Sequence, residues 1–308
     1  MNFVSRILTR LTVPCVLLVA AGLPSRVNAE EYIKSYPVTG RADVRVRADD
    51  SSVRVITSDS AQVEFRVKYA GFAAVEFGGK LHVDSHQNGG QVELTVHLSP
   101  GIVLGVSNRQ VSTEVHMPRN ADLRLETRDG HVEVASLSGN ITVRTTDGGI
   151  KASQLSGTID LQTSDGGMSV DTLKGDFKLR TGDGTIGATN LDGKCEASSS
   201  DGSIHLAGRF DSLDIKSGDG GVVARIAPGS RMSSAWSIRS GDGGVDLALP
   251  TDFRANLDVS TKDGHITLGL PVTVQGDLGT SLVRGTMNGG GPSLVIRTGD
   301  GSIHLKGV

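Results

Sequence analysis

The chain has 308 residues, enough for one large or two small domains, and 37% of them are hydrophobic, enough for a core. Its formal net charge of −3 offers no basic field to nucleic acid or to an anionic membrane, and an aromatic content of 4% argues against a large aromatic-lined pocket. Its 41 glycines, without collagen's three-residue period, point to many tight turns between short strands, with little helix.

Residues 1–29 read as a secretory leader. Arg6 and Arg10 make a positive start, Val13 to Leu23 form an apolar stretch broken by Pro14, and Val27-Asn28-Ala29 ends in a small residue suited to cleavage before Glu30. The apolar run is short for a bilayer span, the alternative being an uncleaved anchor. Cys15 lies near the start of that run, whereas a lipoprotein needs its cysteine at the end. Cleavage removes Arg6, Arg10 and Arg26 and no acid, leaving 28 Lys+Arg against 34 Asp+Glu. Only Cys195 then remains, so no intramolecular disulfide forms and stability must come from packing.

Residues 30–120 are expected to form a β-rich N-terminal region. Val44-Arg45-Val46 and the run from Val53 to Ile56 alternate, and Thr57-Ser58-Asp59-Ser60 reads as a worn copy of a motif that recurs downstream, with Ser60 in the glycine position. Val92, Leu94, Val96 and Leu98 alternate after Asn88-Gly89-Gly90, and Val111, Thr113, Val115 and Met117 alternate up to Pro118. Such alternation predicts strands with one buried face and one wet face, and Asn-Gly-Gly predicts a hairpin turn. The region is expected to cap the first end of the array that follows, because an open stack of strands invites edge-to-edge association.

Residues 121–308 repeat one pattern: Ser or Thr, any residue, Asp, Gly. The turn pairs are Asp129-Gly130, Asp147-Gly148, Asp165-Gly166, Asp183-Gly184, Asp201-Gly202, Asp219-Gly220, Asp242-Gly243, Asp263-Gly264 and Asp300-Gly301, and the first five steps are each 18 residues long. Six and four residues before each Asp the chain is apolar, as at Leu123 and Leu125 or Phe177 and Leu179, and three after it is apolar again, as at Val132 and Ile150. Leu137, Leu155, Leu173 and Leu191 follow at plus eight, and Gly139, Gly157, Gly175 and Gly193 at plus ten. The period within a copy is two, so a copy is strand, Asp-Gly turn, strand, Gly turn. A copy is too short to bury its apolar positions alone, and a constant step stacks equivalent residues. The predicted fold is therefore all-β, a single-chain parallel β-solenoid (β-helix) with coils of about 18 residues, preceded by the β-rich capping region. The competing architecture, an antiparallel sandwich of Asp-Gly hairpins, does not explain the constant step. Residues 226–235 lengthen one coil, and residues 271–291 are expected to hold a degenerate coil ending in Asn288-Gly289-Gly290-Gly291. Loops on a rigid scaffold are where binding usually sits.

Each column of the repeat has a functional and a structural reading. A row of stacked Asp could bind calcium, but Asp can instead bond its own turn backbone while Gly supplies a positive φ. Carboxylates about 4.8 Å apart repel by only about 1 kcal/mol in water, so no ion is required, and the Gly-Gly-x-Gly-x-Asp nonapeptide is absent. The Asp and Gly residues are therefore assigned as structural turn residues. The Ser/Thr column falls on the inward parity, where hydroxyls can bond each other or the turn backbone. His131, His205, His265 and His304 alternate with apolar neighbours and so face outward, on coils that are not expected to be adjacent, so they cannot share a metal. Cys195 and Trp236 fall on inward positions. The sequence has no Gly-x-Ser-x-Gly elbow, His-Glu-x-x-His, paired-Cys or phosphate-loop pattern, and its acids are spread one per coil. No catalytic residue, cofactor or metal ligand is assigned.

Val115-His116-Met117-Pro118 leads to Thr127-Arg128-Asp129-Gly130-His131-Val132, and Leu247-Ala248-Leu249-Pro250 leads to Thr261-Lys262-Asp263-Gly264-His265-Ile266. With the closing Gly289-Gly290-Gly291-Pro292 and Thr298-Gly299-Asp300-Gly301-Ser302-Ile303, these segments resemble the bacterial candidate-adhesin domains of the "beta strand repeat" type, over roughly residues 40–308. The resemblance implies an exported β-solenoid and carries no catalytic residues. It implies a non-enzymatic structural or binding protein of the cell envelope, in the periplasm, at the outer surface or outside the cell. Its partner would be a surface protein or glycan, not nucleic acid, with membrane contact only through the leader. The alternatives are a carbohydrate-active enzyme on a parallel β-helix and an envelope-signalling accessory that binds another protein.

Overall fold

The computed structural model of the protein describes residues 28–78, 80–99, 101–274 and 279–308, so the expected leader lies outside it except for Asn28 and Ala29. Among the described residues every element is a β-strand. The N-terminal region supplies β1 (Asn28–Pro37), β2 (Ala42–Ala48), β3 (Ser51–Ser58), β4 (Gln62–Gly78), β5 (Leu81–Asn88), β6 (Gln91–Leu98) and β7 (Gly101–Pro118). The repeat opens with β8 (Ala121–Thr127), β9 (Val132–Ala135) and β10 (Ser138–Arg144). It continues with the long strands β11 (Ile150–Gln162), β12 (Met168–Arg180), β13 (Ile186–Ser199) and β14 (Ile204–Ser217). After these come β15 (Val222–Ile226), β16 (Trp236–Ser240), β17 (Val245–Leu249), β18 (Ala255–Thr261), β19 (Ile266–Gly269), β20 (Thr273–Val274), β21 (Leu282–Met287), β22 (Ser293–Thr298) and β23 (Ile303–Gly307).

Each repeat is one rung of a flattened solenoid with two walls. The strands before each Asp build the first wall, and the strands after it build the second. Pairing from rung to rung is parallel and in register at the 18-residue step: Ile159 lies beside Phe177, Phe177 beside Cys195 and Cys195 beside Leu213. The inward columns of both walls meet in one core in which Ile141, Ile159, Phe177, Cys195 and Leu213 are all buried. Phe210 and Trp236 pack edge to face at 6.4 Å, and Phe253 lies 5.3 Å from Trp236, so aromatic bulk fills the core where the rungs lengthen.

The two walls are joined by two different corners. One is the Asp-Gly turn. The other lies inside β11, β12 and β13, which bend from the second wall into the first at Gln154, Thr172 and Asn190, with φ of 54°, 60° and 54°. Gly157, Gly175 and Gly193 follow at φ of 115°, 121° and 140°. The left-handed backbone expected at the Asp-Gly glycines is thus found at the opposite corner. The glycines of the Asp-Gly pairs have no φ in that region, and their requirement is one of space. A Cβ on Gly166 would stand 2.1 Å from the carbonyl oxygen of Gly148 one rung away, and Gly184 meets Gly166 in the same way at 2.1 Å.

The stacking order departs from chain order at both ends. β2 and β3 pair in parallel with β8 and β9 on one side and with β6 and β7 on the other, so the first rung in sequence is the second in the stack. The worn turn is consequently not at Thr57–Ser60 but at Asp49-Asp50-Ser51, where Ser51 takes the glycine position and its carbonyl oxygen faces Gly130. β1, β4 and β5 close this end with antiparallel pairings, and Asn88–Gln91 form the expected hairpin. At the other end β22 and β23 lie between β16/β17 and β18/β19. Where a degenerate coil is expected within residues 271–291, the described residues instead form β20 and β21, which run antiparallel as a meander on β18.

Candidate functional site

At the Asp-Gly corner the inward hydroxyl column organises the turn. Thr163 Oγ1 donates to the carbonyl of Gly148 at 2.9 Å and accepts the N–H of Gly166 at 3.2 Å. Thr181 does the same with Gly166 and Gly184, and Thr261 with Gly301 and Gly264. One buried hydroxyl thus closes its own turn and ties it to the next rung. Of the two sequence readings, bonding to the turn backbone is the one observed. The sequence predicts that each Asp side chain bonds its own turn backbone, and among the described hydrogen bonds none of the nine does so. The carboxylates instead stand exposed along the edge, and stacking order places Asp50 beside Asp129, Asp129 beside Asp147, and Asp300 between Asp242 and Asp263.

The edge carries its own electrostatic strain. A hydrogen bond with Asp129 raises the Asp147 carboxyl above the usual carboxylate range, helped by slight desolvation and by the charges of Asp129 and Asp165. Desolvation and then Asp129 raise Asp50 likewise. Among the described residues no group of three or more His, Cys, Asp or Glu is placed to hold a metal ion.

His131, His205, His265 and His304 are exposed on the second wall. His265 and His304, expected on coils that are not adjacent, lie on adjacent rungs because the described residues between them form no intervening coil: His304 pairs with Thr267, and the His265 N–H donates to Ser302 Oγ. They occupy different rows. Cys195 is buried, which pushes its thiol pKa far up and leaves it a small core residue beside Phe177.

The first wall presents alternating charges across rungs. Asp160 lies 3.0 Å from Arg180 and 3.6 Å from Arg144, Glu196 lies 3.0 Å from Lys178, and Asp258 lies 2.9 Å from Arg297. These pairs are exposed or half-buried and open to water, where each contributes roughly 0.2–1 kcal/mol, so the grid is better understood as a regular polar surface than as a source of stability.

The corner opposite the Asp edge carries the longer connections. Residues 227–235 link β15 to β16, residues 250–254 link β17 to β18, and residues 288–292 link β21 to β22. Together they enclose a cleft of about 470 Å³ lined by Arg231, Met232, Asp252, Phe253, Arg254 and Pro292 among others. Asn288 Nδ2 donates to the carbonyls of Thr251 and Phe253 at 2.9 and 2.8 Å, and Asn256 Nδ2 donates to that of Gly291, so two of the loops are tied together. The third is tied to its neighbouring rung through Arg231 N–H to Phe210 O and Ser233 Oγ to Asp211 O. The sequence marks loops 226–235 and 271–291 as departures from a smooth surface. It does not mark Asp252 and Arg254, whose connection is short, nor that the three connections meet.

No curated protein matches the chain. Among solved structures, a candidate adhesin from Parabacteroides merdae is 12% identical, covering 90% of this chain and 96% of that one with a TM-score of 0.49. A candidate adhesin from Bacteroides fragilis is 10% identical, covering 91% and 97% with a TM-score of 0.38. A candidate cell adhesion protein from Clostridium sporogenes is 12% identical, covering 91% and 100% with a TM-score of 0.25. Residues 41–306 match the Toastrack DUF4097 family, a span that runs from the first rung to the last, and the chain belongs to that family.

Proposed function

We propose that the protein is an exported, non-enzymatic, adhesin-like binding surface of the bacterial cell envelope. The observation that supports this most directly is the rigid register of the walls. Rungs locked by parallel pairing and by the hydroxyl–carbonyl ties hold rows of charged side chains at a fixed spacing, so a partner meets one pre-formed surface. The elongated array offers many weak polar contacts at once, which suits attachment to a large partner better than turnover of a small one. Cleavage before Glu30 trims β1 by two residues and leaves Glu30 to Pro37 paired with β4, so export is compatible with the fold.

The test is direct. Beads coated with the full mature chain are expected to bind isolated bacterial envelope saturably, with binding that weakens as salt rises. Attachment no greater than that of beads coated with an unrelated acidic protein would sink the proposal, as would release of new reducing ends from envelope glycans.

A further inference from the structure

The cleft between the three connections has a charge opposite to that of the rest of the molecule. Arg231 and Arg254 line it together with Asp252, leaving one net positive charge on a chain whose formal net charge is −3. Among the described residues neither arginine has a carboxylate within 4.0 Å, whereas nearby Arg209 is tied to both Asp192 and Asp211. The Arg254 Nη2 lies at ordinary contact distance, 3.5 Å, from where a Cβ on Gly289 would stand, and Gly289 itself is held at a φ of 83°. The floor is apolar and fixed: Phe253 is buried against Trp236, and Met232 is half-buried at the mouth.

We propose that this cleft binds the carboxylate of a monoanionic ligand, with Arg231 and Arg254 as the recognising side chains and Met232 and Pro292 receiving the ligand's less polar flank. The inference rests on the binding-surface reading above and names the chemistry of one site on it. A planar guanidinium fork matches a carboxylate in geometry and charge. A single net positive charge balances a monoanion, whereas a dianionic phosphate would leave a second charge facing Asp252. A neutral sugar needs an aromatic face, and the two rings here are turned into the core, with Trp236 at 0% and Phe253 at 5% exposure. The loops are already tied to one another and to the rungs, so little ordering is needed on binding.

Titration calorimetry on the full mature chain tests this with two monocarboxylates from different sources, the methyl glycoside of galacturonic acid for an acidic glycan and octanoate for a lipid. The methyl ester of the former and octanamide serve as their uncharged counterparts. One acid or the other is expected to bind at one site per chain, and its uncharged counterpart is not. Arg231→Ala and Arg254→Ala should each weaken that binding about tenfold or more. Arg239→Ala, an exposed arginine on the first wall, should leave it within about twofold, by the same conversion. All three arginines are exposed, so unchanged melting temperatures are expected to show that the fold is intact. Binding of neither acid, equal binding of the uncharged counterparts, or full binding by either cleft variant overturns the proposal. If neither acid binds while coated beads still hold envelope, the cleft assignment alone fails and the surface reading stands.

Discussion

Gly166 and Gly167 are neighbours in one turn, and the fold asks different things of them. A Cβ on Gly166 would meet the Gly148 carbonyl oxygen at 2.1 Å and its carbon at 2.5 Å, whereas one on Gly167 would find its nearest atom, Thr185 O, at 3.4 Å. Replacing Gly by Ala at a φ that alanine can adopt stabilises by about 0.4–1 kcal/mol through the unfolded chain. Forcing a carbon into filled space costs about 1–3 kcal/mol. The collision should win at Gly166 and the entropy at Gly167. Gly166→Ala is therefore expected to lower the urea midpoint and Gly167→Ala to leave it unchanged or raise it. Two variants with the same midpoint would show that rung spacing is not what holds the glycine column. The column itself is legible in the sequence, but its cause is not: a glycine selected by a neighbouring rung and one selected by its own φ look alike in a single chain. The true left-handed positions, Gln154, Thr172 and Asn190, share no residue type, so the second corner gives no sequence signal beyond the glycine three residues on.

The strands themselves follow from the sequence because alternation within a copy and constancy between copies are both local properties. The 18-residue spacing alone is enough to place Ile159, Phe177, Cys195 and Leu213 in one ladder, and the strand register agrees. Which rung lies on which is not local. The 37-residue step between Asp263 and Asp300 marks an excursion, but only the antiparallel return of β21 along β18 sends β22 and β23 back between earlier rungs. That order has a measurable consequence. β19 has β23 as its strand partner, so deleting residues 288–308 should strip amide exchange protection from Thr267 and Gly269, whose N–H groups face β23, although their own sequence is intact. β11 to β13, far from the cut, should keep theirs, as expected of a stack whose rungs contact only their neighbours. Protection retained in β19 would mean that it had docked onto β17, as simple chain order implies, and that the terminal segment does not fix the arrangement.

Over the whole molecule the charges divide by place: an acidic edge of stacked carboxylates on one side, a cleft with one net positive charge on the other, and paired charges on the walls between. The two kinds of carboxylate respond to pH with opposite signs. Asp122, hydrogen-bonded by Arg41, and Glu133, hydrogen-bonded by Lys151 and Arg54, are held below the usual carboxylate range. Their contribution is present above the unfolded value, about 4, and is lost as pH falls through the folded one. Asp147 and Asp50 are held above that range, so their contribution is complete below the unfolded value and is lost as pH rises through the folded one. At neutral pH the edge therefore opposes the fold slightly, and the exposure of Asp147 keeps the effect small. Asp147→Asn removes one charge from the row without changing its shape. The variant should melt higher than the parent at pH 7 and low salt, and the difference should shrink in 1 M salt, where charges more than about 3 Å apart are screened. It should also vanish near pH 3, where the parent carboxyl is already protonated. Thermal melts at the two pH values and two salt concentrations separate this from a packing effect, which would persist in all four conditions. A variant that melts lower than the parent at pH 7 would mean that the Asp row is held by something attractive, and the reading of these aspartates as turn residues alone would have to be abandoned.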